Sequence, residues 1–273
     1  MRILGVPLEN GLGKTKGTAE APAALLAELR ELQGRTSDAE WEQESLTLDL
    51  SDVEEASAQV ERRFSAILAN SPALAIGGDH ASTYPLFRAF ARRHPGAGLM
   101  VLDAHPDMMH SLTPPTHEDY LLTLLSEGTL APERVVLAGL RSAHPLESER
   151  MRKMRIRHFP MQEIQDEGLR HVTDALMSAA RDWPALYLSV DIDVLDPAFA
   201  PGTGYPEPGG LSTRELLYLL RRIAKLQMPK AADLVEVNPL LDPGRATVRA
   251  GAAILLEILN NFYLKVANEQ KVL

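Results

Sequence analysis

The chain has 273 residues, long for one small domain and short for two full ones, which favours one large unit spanning 1–273. Its 28 Lys and Arg against 37 Asp and Glu leave a net charge of −9, which argues against a nucleic-acid footprint or a polybasic membrane patch. With no cysteine it has no disulfide, no thiolate zinc site and no Cys nucleophile, so its chemistry falls to oxygen and imidazole groups.

Short apolar runs occur in chain order at 2–6, 46–50, 73–76, 99–102, 135–140, 156–159, 185–190 and 232–235. Amphipathic stretches separate them, the pattern of parallel strands joined by crossover helices. Pro22 opens a helix in which Leu25, Leu26, Leu29 and Leu32 repeat at helical spacing. Similar periodicity fills 53–68 and 216–223 and recurs at Leu255, Leu256, Leu259 and Tyr263. The expected fold is a three-layer α/β/α unit with a mainly parallel sheet of about eight strands and helices on both faces. No run reaches the roughly 18 apolar residues of a membrane span. The N-terminal run stops at Pro7, too short for a signal-peptide core, so a cytoplasmic location is expected.

Four runs are followed at once by polar clusters: Gly77-Gly78-Asp79-His80, Asp103-Ala104-His105-Pro106-Asp107, Asp191-Ile192-Asp193 and Glu236-Val237-Asn238-Pro239. Open parallel sheets bind ligands outside the carboxyl ends of their strands. Carboxylates at such apolar strand ends are costly unless neutralised, and convergence on one cation-rich site explains all four clusters together. Asp103, His105 and Asp107 are spaced by two, so on extended backbone their side chains point the same way. Asp191 and Asp193 repeat the spacing, and His80 completes a set of four carboxylates and two imidazoles. A lone Asp-x-His or Asp-x-Asp more often marks a turn; co-occurrence at the ends of different strands points to metal. The set has too many oxygens for structural zinc and too many ligands for one ion. Two divalent ions sharing carboxylates fit better, with manganese the leading choice.

These motifs resemble those of the arginase/agmatinase ureohydrolase family, which includes a formimidoylglutamase branch. The first three clusters match its metal motifs, the third within Ser189-Val190-Asp191-Ile192-Asp193-Val194-Leu195-Asp196-Pro197. Gly5-Val6-Pro7, Gly139-Leu140-Arg141, Ala200-Pro201-Gly202-Thr203-Gly204 and Gly209-Gly210-Leu211-Ser212 extend the match over nearly the whole chain. The resemblance implies a hydrolase of linear amidine C–N bonds, agmatinase-like, that converts a guanidinium group to urea and an amine with two Mn²⁺ per chain and a metal-bridging hydroxide. It implies one ion on His80, Asp103, Asp107 and Asp191 and the other on Asp103, His105, Asp191 and Asp193. Asp79 and Asp196 fall at non-ligand positions and take supporting roles. Asp107 would handle the proton of the nucleophile and Glu236 would pair with the guanidinium. A histidine after the second motif would protonate the leaving amine, with His117 the first candidate and His110 the alternative. That histidine is normally followed by glycine; here it is followed by Glu118. The resemblance also implies a small guanidino substrate, no nucleic-acid or membrane partner, and a homo-oligomer, trimer or hexamer.

After Gly139-Leu140-Arg141 the chain has Ser142-Ala143-His144 where the arginine-specific enzymes carry aspartates, which disfavours L-arginine. Agmatine, a guanidino acid or another guanidino compound stays open, while Asp79 disfavours the formimidoylglutamate branch. Ala81 replaces the serine that usually follows the first motif. Met108, Met109, Tyr205 and Glu207 are expected at the mouth of the pocket. Two readings of other kinds compete: a single-zinc amide hydrolase, which would leave His80, Asp107 and Asp193 without a partner, and a catalytically silent metal-binding scaffold in an oligomer.

Overall fold

A computed structural model describes residues 1–36, 41–228 and 230–264. The expected span of 1–273 therefore includes residues 37–40, 229 and 265–273, which lie outside the described residues. Eight strands, β1 (Arg2–Gly5), β2 (Glu42–Ser45), β3 (Ala73–Ile76), β4 (Gly98–Leu102), β5 (Val135–Leu140), β6 (Arg157–Pro160), β7 (Leu186–Asp191) and β8 (Lys230–Val235), form one sheet in the order β2-β1-β3-β8-β7-β4-β5-β6. Every pairing is parallel, so the sheet is wholly rather than mainly parallel.

Side chains alternate between two apolar layers, as the period of two requires. From β1, β3, β4 and β5, Ile3, Leu74, Met100 and Val136 enter one core, while Leu4, Ala75, Val101 and Leu137 enter the other. The first core is closed by α1 (Ala21–Thr36), α7 (Leu169–Ala180), α8 (Thr213–Ile223) and α9 (Ala246–Ile258), through residues such as Leu25, Leu176, Leu219 and Ile254. The second is closed by α2 (Val53–Leu68), α3 (Thr83–Arg93), α4 (Tyr120–Ser126) and α5 (Pro145–Met154), through Phe64, Phe87, Leu124 and Met151. α6 (Met161–Glu167) contributes Ile164 to the first layer. Among the described residues no helix is long and apolar enough to cross a membrane.

The second strand lies upstream of its expected place at 46–50. The paired segment is the polar Glu42–Ser45, and Leu46, Leu48 and Leu50 instead pack against the second core on the way to α2. An edge strand meets solvent along one side and needs no apolar run, so hydrophobic alternation marked the connection rather than the ladder.

The topology gathers the site. β3, β8, β7 and β4 are adjacent at the centre of the sheet although residues 77 to 229 of the chain intervene between the first two. Their carboxyl ends carry the four polar clusters. At the end of β3 the backbone of Gly78 presses on the N-terminal loop: a Cβ there would lie 2.1 Å from the carbonyl oxygen of Leu8, which accepts the Asp79 N–H. Gly78→Ala is therefore expected to cost about 1–3 kcal/mol by overpacking, read as a lower denaturant midpoint at unchanged m-value.

Candidate metal centre and cavity

Three of the four aspartates of the cluster use one oxygen locally. Asp103 Oδ1 accepts the His105 N–H, Asp191 Oδ1 accepts the Asp193 N–H, and Asp193 Oδ1 accepts the Ala104 N–H. The second oxygens are thereby turned to a common centre. His80 Nδ1 lies 3.1 Å from Asp103 Oδ2, 2.9 Å from Asp107 Oδ2 and 3.1 Å from Asp191 Oδ2. His105 Nδ1 lies 2.9 Å from Asp193 Oδ2 and 3.6 Å from Asp103 Oδ1. Two groups, His80-Asp103-Asp107 and Asp103-His105-Asp193, each bring their donor atoms within 4.8 Å of one another and share Asp103. All six residues named from the strand ends thus meet at one place.

The donors fit cations. His80 Nδ1 and Asp103 Oδ2 are buried without a hydrogen-bond partner. Nε2 of His80 is engaged elsewhere: Ser189 Oγ donates to Asp233 Oδ1, so it is free to accept the His80 Nε2–H at 3.0 Å, and Nδ1 is the atom that faces the carboxylates. Although burial opposes it, Asp103, Asp107 and Asp191 hold this imidazole well above its ordinary range, and a bound cation would take the place of the Nδ1 proton. Asp233 is fully buried and also accepts from the hydroxyls of Thr83 and Tyr187. Burial and crowding raise three of the four carboxyl groups, whereas that of Asp103, although buried, is held down by hydrogen bonds and charge from His105 and His80. Burial, then the charge of Asp103, pushes Asp107 up to about 8. Burial, then Asp193 and Asp103, lifts Asp191 well above the usual carboxylate range, and burial with Asp103 lifts Asp193. Positive charge supplied among oxygen and imidazole donors removes this penalty.

Glu236 stands at the edge of the cluster, 4% exposed. Its Oε1 accepts the His80 N–H at 2.8 Å, while Oε2 is buried without a partner. Burial, then the charges of Asp191 and Asp79, raises its carboxyl. Asp107 and Glu236 both hold left-handed backbone, φ 52° and 64°, unusual for residues other than glycine and concentrated here at two site residues.

A cavity of about 240 Å³ opens over the cluster, lined among others by His105, Asp107, His117, Glu118, Tyr205 and Glu207. The two candidate histidines part here. His117 is 5% exposed and lines the cavity, whereas the His110 side chain is 47% exposed. The Leu12 N–H donates to His117 Nδ1 at 3.3 Å, which places the proton on Nε2, an atom buried without a partner. Burial, then the charges of His80 and His105, pushes this imidazole down to about 4, below the near-neutral range of the sequence expectation. Of the four residues expected at the mouth, Met109, Tyr205 and Glu207 line the cavity. Met108 does not; it is fully buried in the second core, where its unbranched side chain fills space beneath the loop. Asp79 and Asp196 hold loops: Asp79 accepts from the backbone of Asn10 and Ala81, Asp196 from that of Ala198, Gly209 and Gly210.

Several contributors escaped the sequence reading. Ser189 and Asp233 were detectable as polar residues inside otherwise apolar strands. Tyr120, stacked on His80 with ring centroids 4.3 Å apart, carried no such signal. Nor did Arg141 announce its role, which is to donate to the carbonyls of Gly139, Asp193, Leu195 and Glu207 and so clamp the loops together.

A parallel sheet covered on both faces, with a carboxylate–imidazole cluster at its central strand ends, defines a metal-dependent α/β enzyme. The chain belongs to the arginase family, whose model matches residues 1–260, a family of hydrolases of amidine C–N bonds that use paired metal ions. It is 38% identical over 191 residues to a guanidinopropionase of Pseudomonas aeruginosa, a match covering 68% of this chain and 59% of that relative, less than two thirds of its length. It is 30% identical over 280 residues to an agmatinase of Photorhabdus laumondii, covering 98% and 88%. The solved proclavaminate amidino hydrolase from Streptomyces clavuligerus superposes with a TM-score of 0.87 at 30% identity, covering 96% of this chain and 91% of that one.

Proposed function

We propose that this protein is a binuclear manganese amidinohydrolase that cleaves the guanidinium group of a small guanidino compound, agmatine or similar, to urea and an amine. The observation that carries the reading is the buried, unpartnered Glu236 Oε2 beside the His80-Asp103-Asp107 group under an open cavity. His80, Asp103, Asp107 and Asp191 would hold one ion and Asp103, His105, Asp191 and Asp193 the other. When bound, two such ions supply Lewis acidity and a water acidified toward neutrality. The chain's own residues do the rest. Glu236 pairs with the guanidinium through charge-assisted hydrogen bonds and fixes its carbon over the cluster. Asp107 accepts a proton from the attacking water. Asp107 passes that proton on to the leaving nitrogen, while His117, a neutral imidazole, donates a hydrogen bond from Nε2–H that orients this nitrogen.

After reconstitution with Mn²⁺, about two ions per chain and stoichiometric urea from at least one guanidino compound are expected. A single tight zinc, or no urea from any guanidino compound at full metal occupancy, would sink the reading. Because His117 lies near 4, it stays neutral above that pH, and the rate should show no acid limb from this residue between pH 5 and 8. A pH–rate series on the parent and on His117→Asn checks this: an acid limb in that window that vanishes in the variant contradicts it.

A further inference from the structure

The outer half of the cavity carries chemistry that the guanidinium reaction does not use. Glu118 and Glu207 line it from two different loops, and no lysine or arginine is among its lining residues. Glu118 is also the departure from the family pattern, a carboxylate where glycine normally follows the histidine. Its backbone is fixed, the carbonyl accepting the Met109 N–H, while among the described residues its carboxylate has His117 Nε2 at 3.7 Å and His110 Nε2 at 3.9 Å as neighbouring basic groups. Glu207 accepts the Ser142 hydroxyl at 3.2 Å and has His105 Nε2 at 3.7 Å as its neighbouring basic group. The nearby cations are spent elsewhere: Arg141 and Arg150 donate to backbone carbonyls, and Lys14 lies over the Tyr205 ring. The unpartnered Nε2 of His117, in a side chain 5% exposed, independently marks this space as one that receives a ligand.

We propose that Glu118 and Glu207 form a subsite for a cationic group, so that the preferred substrate is a guanidino compound with an ammonium or second guanidinium at its far end. The inference rests on the amidinohydrolase reading for its reaction. A carboxylate-tailed compound would bring a like charge against two glutamates whose side chains are 30% and 35% exposed, with no lysine or arginine among the described lining residues to answer it. A cationic tail gains two charge-assisted contacts there and is drawn in by the field of the cleft.

The test uses manganese-loaded enzyme and three compounds of similar length, agmatine, n-butylguanidine and 4-guanidinobutyrate, whose tails are cationic, neutral and anionic. KM is expected to rise in that order. Glu118→Gln should raise KM for agmatine about tenfold while moving that for butylguanidine less than about twofold. Glu207→Gln should do the same, which protects the test if one variant folds poorly. Preference for 4-guanidinobutyrate, or an equal KM shift for the neutral and cationic compounds, overturns the subsite and leaves the amidinohydrolase standing. If none of the three is hydrolysed, the catalytic reading fails instead. Calorimetric binding of the same compounds then reads the subsite directly, tighter agmatine supporting it and equal affinities overturning it.

Discussion

Asp103→Asn should abolish turnover, lowering urea release by about a thousandfold or more and reducing bound manganese from about two ions per chain to one or none. Asp103 is the member shared by both donor groups, and its two oxygens do different work. Oδ1 accepts the His105 N–H and so sets the loop that carries His105, while Oδ2 faces His80 Nδ1 without a hydrogen bond. Asparagine keeps the shape and the local acceptor but loses the charge. The metal-free variant should melt only slightly lower than the metal-free parent, because the Asp103 carboxylate, held down against burial by His105 and His80, loses those attractions while its remaining local contact is kept. Metal analysis after gel filtration, urea assay and thermal melts of both metal-free forms check the three outcomes together. Full manganese content with parental turnover would remove Asp103 from the centre. A collapse in metal-free melting temperature would make its role one of folding.

The features legible in the sequence were those with short-range rules. A polar cluster after an apolar run marks a strand end wherever it occurs, and that rule found Asp103, His105, Asp107, Asp191 and Asp193. The extended backbone expected from their spacing is absent, since the chain bends after Asp103, Asp107 is left-handed and Ile192–Val194 forms a 3-10 turn, so the loops rather than a strand pleat turn these side chains inward. What brings them together, the adjacency of β3, β8, β7 and β4, is a property of strand order and has no local signature. The error at β2 has the same origin, since an edge strand is recognised by its neighbour rather than by its own apolarity. Distance along the chain hid the support of His80: Ser189, 109 residues away, and Asp233, 44 beyond Ser189, act through hydroxyl contacts. The donor to His117 was invisible for another reason, because every non-proline residue has an N–H and only the fold selects that of Leu12.

Glu236→Gln should leave manganese bound yet lower kcat/KM by about a hundredfold to a thousandfold, most of it through weaker binding of the guanidinium. The side chain is held without help from any ion: the Glu236 N–H donates to the Gly78 carbonyl at 2.8 Å, and Oε1 accepts the His80 N–H. A glutamine can repeat that second contact with its carbonyl oxygen. Its NH₂ then replaces Oε2, setting donor against donor where the guanidinium must sit. The pH dependence separates this role from a structural one. Burial and neighbouring charge raise the Glu236 carboxyl, so protonation sets in as pH falls, and an acid has no charge to offer a guanidinium. KM of the parent should therefore rise toward low pH, and binding of an alkylguanidinium inhibitor should release protons, whereas the glutamine variant should lose this dependence. Equal pH slopes for inhibitor binding in parent and variant, at equal metal content, would move the guanidinium partner to another residue.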